Sequence, residues 1–143
     1  MSSVAPYLPG ARVLDLFAGS GALGLEAISR GAEHAVFVEQ ADAALRTLRA
    51  NIQALGAEAC ADVVRTDALR YVSALEPGAF DVAFADPPYG TGSAAALAEA
   101  FAARPFADVL GIEHGPEDLL PDLPNSRTRR YGDVRITLIS APP

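Results

Sequence analysis

Residues 12–24 read RVLDLFAGSGALG, and the fold turns on this stretch. Its first five residues form a short apolar run, the pattern of a buried strand. Glycines at 19, 21 and 24 follow in G-x-G-x-x-G spacing, and a helical pattern opens inside them. A strand, a tight turn and a helix N-terminus let backbone come close to a bound ligand. The spacing alone leaves open whether that ligand is a dinucleotide, a phosphate or another compound.

The same unit recurs along the chain. Gly21 to Arg30 carries Leu23, Ala27 and Ile28 at helical spacing and is stopped by Gly31. AVFVE (Ala35 to Glu39) reads as the next buried strand. Asp42 is a candidate cap for a helix to Leu55, with Leu45, Leu48, Ile52 and Leu55 on one face and Gly56 at its end. Ala59 to Arg65 reads as a third strand opened by Cys60, and Ala68 to Leu75 as a short helix. FDVAFA (Phe80 to Ala85) is a fourth strand, Ser93 to Arg104 a helix stopped by Pro105, and DVLGIE (Asp108 to Glu113) a fifth strand. Arg127 to Tyr131 and Val134 to Ser140 read as a hairpin across Gly132-Asp133. Strands alternating with helices imply crossovers, hence a parallel sheet covered on both faces. The expected fold is α/β and Rossmann-like: a doubly wound, mostly parallel sheet of about seven strands with an antiparallel C-terminal hairpin. Residues 1–143 are expected to form a single domain.

Bulk composition narrows the class. Half of the 143 residues are hydrophobic, enough for a sizeable core. A single cysteine, Cys60, cannot form an internal disulfide, and no Cys/His spacing suggests zinc, so no metal is expected. These features, with no signal-like N-terminus and no long apolar run, lead to the expectation of a cytoplasmic protein without a membrane span. The net charge is −7, which argues against a wide phosphate-gripping surface. The 11 basic residues are all arginine, and Arg127, Arg129, Arg130 and Arg135 cluster on the terminal hairpin. That cluster reads either as a phosphate contact or as charge that keeps an edge strand soluble. His34 and His114 read as loop and strand-end residues rather than catalysts.

In a doubly wound sheet, ligands bind beyond the carboxyl ends of the strands near the switch in strand order. Four strand ends carry the candidates. Asp15 precedes the Gly-rich turn. Glu39 closes the second strand, where a carboxylate can accept hydrogen bonds from ribose hydroxyls. Both suit any adenosine-containing ligand, NAD and S-adenosylmethionine alike. Asp67 follows the third strand. The fourth strand runs into ADPPYG (Ala85 to Gly90), whose two prolines fix a rigid, extended turn. That turn offers the Asp86 carboxylate, carbonyls without local partners and the Tyr89 ring, a set suited to a flat, amino-bearing ring.

D-P-P-Y after the fourth strand with a Gly-rich loop after the first resembles the S-adenosylmethionine-dependent amino methyltransferases. More narrowly, VLDLFAGSGALGLEAISRGA (Val13 to Ala32), VFVE (Val36 to Glu39) and FADPPY resemble the RsmD family of bacterial 16S ribosomal RNA guanine-N2 methyltransferases. The likeness covers about residues 10–140, including R-x-Y-G-D at Arg129 to Asp133. It implies methyl transfer from S-adenosyl-L-methionine to the exocyclic N2 of a guanine in 16S rRNA, within a partly or fully assembled small subunit; a monomer is the default expectation, which the sequence does not fix. It implies that Asp15 and the loop Phe17, Ala18, Gly19, Ser20 and Gly21 hold the methionine part of the cofactor, with its amino group facing Asp15. Glu39 would take the ribose, Gln40 would lie beside the adenine, and Asp67 would accept from the adenine amino group with Ala68 adjacent. Asp86, the Pro87 carbonyl and Tyr89 would act on the target base, with Pro88 completing the substrate contact.

The family carries a basic segment ahead of the Gly-rich strand that helps hold RNA. Pro9-Gly10 comes almost at the start here, so that substrate-binding segment is expected to be missing. Other readings are an inactive cofactor-binding remnant, an amino methyltransferase acting on another base such as adenine N6, a protein glutamine methyltransferase, or an NAD enzyme. Adenine-N6 DNA methylation needs a target-recognition domain for which there is no room. Glutamine methylation usually goes with Asn at position 86, and no hydride-transfer residue set is evident.

Overall fold

The computed structural model describes residues 4–143. Seven strands form one sheet: β1 (Arg12–Leu16), β2 (His34–Glu39), β3 (Ala61–Arg65), β4 (Val82–Ala85), β5 (Val109–His114), β6 (Ser126–Tyr131) and β7 (Val134–Ser140). Four helices connect them: α1 (Ala22–Ser29), α2 (Asp42–Ala54), α3 (Ala68–Ser73) and α4 (Ser93–Ala103). The strand order is β3-β2-β1-β4-β5-β7-β6. The first five strands pair in parallel, while β7 runs antiparallel to both β5 and β6. The order reverses between β1 and β4, the switch point at which sheets of this kind bind ligands beyond the carboxyl ends of their strands.

Alternation along the buried strands sends residues to two cores. Leu14, Leu16, Ala83, Ala85, Leu110 and Ile112 pack under α3 and α4, where Leu97 and Phe101 are fully buried. Val13, Ala35, Phe37, Val82 and Phe84 pack under α1 and α2, the latter contributing Leu45, Leu48 and Ile52. The helices therefore cover both faces, as expected of a doubly wound sheet.

Three local readings differ from the structure. The cap of α2 is Ala41 rather than Asp42, and it makes no side-chain cap bond. The acceptor at this helix entry is Glu39, whose Oε2 takes the N–H groups of Gln40 and Ala41 at 3.0 and 2.9 Å. Asp42 instead pairs with Arg65 at 2.8 Å. Cys60 belongs to a short 3₁₀ turn (Glu58–Cys60), and β3 opens at Ala61. His34 opens β2 instead of lying in a loop and meets Asp62 at 2.9 Å, whereas His114 is the strand-end residue expected, closing β5 and buried between Thr137 and the Gly115 carbonyl.

Candidate active site

The loop after β1 is built by backbone geometry. Phe17 has φ 55°, and it is the one non-glycine residue in the left-handed region among the described residues. A bulky residue there costs on the order of 1–3 kcal/mol, which surrounding contacts must offset. Ala18 donates its N–H to the Val38 carbonyl at 3.0 Å, and Gly21 donates to Ala18 at 2.8 Å, so the loop folds back over the end of β2. Gly19 has φ 57°, and a Cβ there would meet nothing within 4 Å. Its requirement is conformational, and the space above it is open.

Gly24 is required for a different reason. A Cβ there would lie 2.8 Å from Phe37 Cζ and 3.1 Å from Asp15 Oδ2. The third glycine thus lets α1 sit directly on β2. Asp15 is 2% exposed, and its Oδ2 accepts the Gly24 N–H at 3.0 Å. Burial pushes its carboxyl up to about 7; the Gly24 N–H opposes this, and the charges of Asp86 and Glu39 add to it. Asp15 therefore lies beneath the loop and ties β1 to α1.

Glu39 joins the loop to the next helix. Its Oε1 accepts the Gly19 N–H at 2.8 Å while Oε2 holds the entry to α2. Asn51 on α2 donates to the Ser20 carbonyl at 2.9 Å, closing the loop from the other side. Asp67 caps α3 by accepting the Arg70 N–H at 2.9 Å, and Ala68 behind it is buried. Each carboxylate retains acceptor capacity beyond these bonds. The ends of β1, β2 and β3 thus offer an open Gly loop and two partly exposed carboxylates, an acceptor set that fits the hydroxyl and amino donors of an adenosine-bearing ligand.

The turn after β4 divides the residues expected to act together. Pro87 is buried, while Asp86, Pro88 and Tyr89 are exposed. The Pro88 carbonyl accepts the Thr91 hydroxyl at 2.9 Å, which corrects the expectation that both carbonyls of this turn lack local partners. No bond to the Pro87 carbonyl is found among the described residues. Tyr89 lies against Gly115, where a Cβ would come within 3.1 Å of its Cδ2, and is 47% exposed. Asp118 fixes the turn: its two oxygens accept the N–H groups of Gly90 and Gly115, each at 2.9 Å. The Gly115 and Gly90 N–H groups hold the Asp118 carboxyl below its ordinary range.

Asp86 has a neighbour absent from the sequence reading. Ala85 pairs with Ile112, and the next residues on the two strands are Asp86 and Glu113. Although Asp86 is exposed at the residue level, partial burial of its carboxyl raises it to about 6, helped by the neighbouring Glu113 through hydrogen bonding and charge. Both residues line a cleft of about 210 Å³ together with Phe84 and Gly111, and with Arg127, Arg129 and Tyr131 of β6. Tyr89 is not among the lining residues. Arg127, Arg129 and Tyr131 alternate on β6 and so share a face, whereas Arg130 falls on the other and pairs in register with Arg135. Arg135 donates to the Gly132 carbonyl at 2.8 Å. The arginine cluster is therefore split, and neither Arg127 nor Arg129 has a carboxylate partner among the described residues.

Glu113 and Asp118 are the site residues that sequence reasoning missed. Glu113 lies at the carboxyl end of β5, one residue before its last, much as Glu39 closes β2, and that parallel was the available signal. Asp118 lies in an irregular loop and had none. Among the described residues, no group of His, Cys, Asp and Glu could hold a metal ion, and no helix is long and apolar enough to cross a membrane.

Residues 1–139 match the model of a family described as conserved hypothetical protein 95. The chain is 38% identical over 138 residues to the Bacillus subtilis protein named "Putative rRNA methyltransferase YlbH", a match covering 90% of this chain and 75% of that one. It is 40% identical over 89 residues to "Ribosomal RNA small subunit methyltransferase D" of Escherichia coli K12, covering 62% of this chain and 44% of that protein. A solved structure titled a conserved hypothetical protein of Streptococcus pyogenes superposes with TM-score 0.83 at 34% identity, over 97% of this chain and 91% of that one. The solved structure titled "Putative methyltransferase yhhF from Escherichia coli" does so with TM-score 0.81 at 31% identity, over 97% and 80% of the two chains.

Proposed function

The chain belongs to the conserved hypothetical protein 95 family, and from that premise we propose that it transfers a methyl group from S-adenosyl-L-methionine to the exocyclic N2 of a guanine in small-subunit ribosomal RNA. The observation that carries this reading is that Asp86 lines a cleft and follows β4, the strand paired in parallel with β1, whose end leads into the Gly-rich loop. The names of the relatives support ribosomal RNA as the substrate class. We take the whole of residues 1–143 as one methyl-transfer domain, of which residues 1–3 lie outside the described residues.

When bound, S-adenosylmethionine supplies a methyl group on a positively charged sulfur whose leaving group is neutral. The residues fit it as follows. Phe17, Ala18, Gly19, Ser20 and Gly21 cradle the methionine part, with Asp15 fixing the loop from beneath. Glu39 accepts from the ribose hydroxyls, Gln40 lies beside the adenine, and Asp67 with Ala68 meets the adenine amino edge.

The harder task is the nucleophile. A guanine 2-amino nitrogen shares its lone pair with the ring and attacks poorly. Asp86 and the Pro87 carbonyl accept its two N–H groups, which favours a pyramidal nitrogen and aims its lone pair. Positioning of this kind can contribute on the order of several kcal/mol. Once N2 carries the methyl group it must lose a proton, and the Asp86 carboxylate is placed to take it. Tyr89 stacks on the base from outside the cleft, and Pro88 keeps the turn extended. Arg127 and Arg129 meet the phosphates flanking a base that has left its stack.

The test is radiolabelled methyl transfer onto small ribosomal subunits that lack the modification, with calorimetric titration of S-adenosylmethionine alongside. The expected result is labelled N2-methylguanine with the wild type, and none with Asp86→Ala at cofactor affinity within a few-fold. Equal activity in Asp86→Ala would sink the assignment. Tyr89→Ala should raise KM for RNA far more than it weakens cofactor binding, while Tyr89→Phe stays mild.

A further inference from the structure

The proposed chemistry uses one carboxylate at the target base, yet the cleft contains two. Asp86 and Glu113 stand one residue beyond the last paired positions of β4 and β5, and both line the same cleft. Two adjacent carboxylates without a cation between them are mutually repulsive and need a donor. Partial burial, and after it the neighbouring Glu113, raise the Asp86 carboxyl to about 6. The nearest cationic side chains of the cleft, Arg127 and Arg129, form no ion pair with either carboxylate. The pair is therefore built to receive donors from something that enters the cleft.

The Watson–Crick edge of guanine carries two such donors side by side, N1–H and the 2-amino group. Adenine presents a bare N1 lone pair at the corresponding place, and a carboxylate facing it would gain nothing and repel it. Resting on the guanine-N2 reading above, we propose that Glu113 is the specificity residue of this site, accepting the N1–H of the target guanine while Asp86 accepts from the 2-amino group. Glu113 then rejects purines without a proton on N1, because its carboxylate would be left buried and unpaired beside them.

The experiment separates N1 recognition from the amine itself. The position modified in small-subunit RNA is mapped with the wild-type chain, and an RNA carrying 2-aminopurine at that position is prepared. 2-Aminopurine keeps the amine but has no N1–H. The wild type should prefer guanine by about ten- to a hundredfold in kcat/KM, the discrimination typical of one such contact. In Glu113→Gln the amide can donate to the bare N1, and the preference should shrink to within about threefold. Glu113→Ala should also lose the preference, with lower activity on both RNAs. Thermal melting and S-adenosylmethionine affinity of both variants are measured alongside: the affinity should not move, and the melting temperature should hold or rise as the charge beside Asp86 is removed. A wild type that methylates guanine N2 while both variants keep its preference overturns the role of Glu113 alone. A wild type that labels adenine, or no base, overturns the guanine reading and this assignment together.

Discussion

Glu39 accepts the N–H of Gly19 at 2.8 Å, so the end of β2 holds the loop that follows β1. The same carboxylate organises the entry to α2 through Gln40 and Ala41. Glu39→Ala should therefore weaken S-adenosylmethionine binding by at least about tenfold and lower stability by roughly 1–3 kcal/mol, since three N–H groups lose a charged acceptor. Calorimetry and urea unfolding report the two effects. Glu39→Gln, which keeps one acceptor oxygen, should fall between the variant and the wild type in both.

Gly24→Ala drives a methyl group into the Phe37 ring and against Asp15. Overpacking of this kind costs about 1–3 kcal/mol, and a lowered Tm should show it. Adding Phe37→Leu opens space at the clash. The double variant should recover part of the loss and be more stable than the sum of the single changes allows.

Asp15 makes stability depend on pH. Its carboxyl titrates near 7 in the folded chain against an ordinary value of 3.8, so the folded state holds the proton more tightly. The contribution of this group is fully present below about pH 4 and is lost as pH rises toward about 7. The loss is on the order of a few kcal/mol. Asp15→Asn cannot ionise and its amide oxygen still accepts from Gly24. Urea midpoints measured from pH 4 to 8 should fall less steeply in that variant; identical profiles would remove Asp15 as the cause.

Arg127 and Arg129 should contribute to RNA binding through phosphate charge. Replacing both with Gln should weaken binding for any RNA sequence and reduce the slope of log K against log salt by roughly 1.5 to 2. Arg130→Gln, on the opposite face of β6, should leave that slope nearly unchanged. Filter binding over a salt series separates the three.

Much of the fold was legible because local pattern and tertiary role agree. β1 and β7 begin and end where the sequence pattern places them, β7 following the Gly132-Asp133 turn. The start of α2 was misjudged by one residue because its acceptor, Glu39, lies upstream of the helix and also serves the loop. The Gly-rich loop and the Asp-Pro-Pro-Tyr turn were visible as contiguous motifs. The partnership of Asp86 with Glu113 was not, because it is created by strand register between segments far apart in the chain. The division of the turn, with Asp86 in the cleft and Tyr89 over Gly115, depends on the Asp118 clamp, which no periodicity announces.

The placing of β7 between β5 and β6 has a consequence for the order of assembly. β6 is synthesised first, yet β7 is its sole partner in the sheet, so it cannot join until β7 has docked on β5. β7 itself is built into the core beside β5, where Ile139 is buried and Thr137 meets His114. The arginine stripe therefore arrives last, and β6 amides should gain protection from hydrogen exchange only together with those of β7. On the proposed function, the face assigned to RNA would then be the last to be completed.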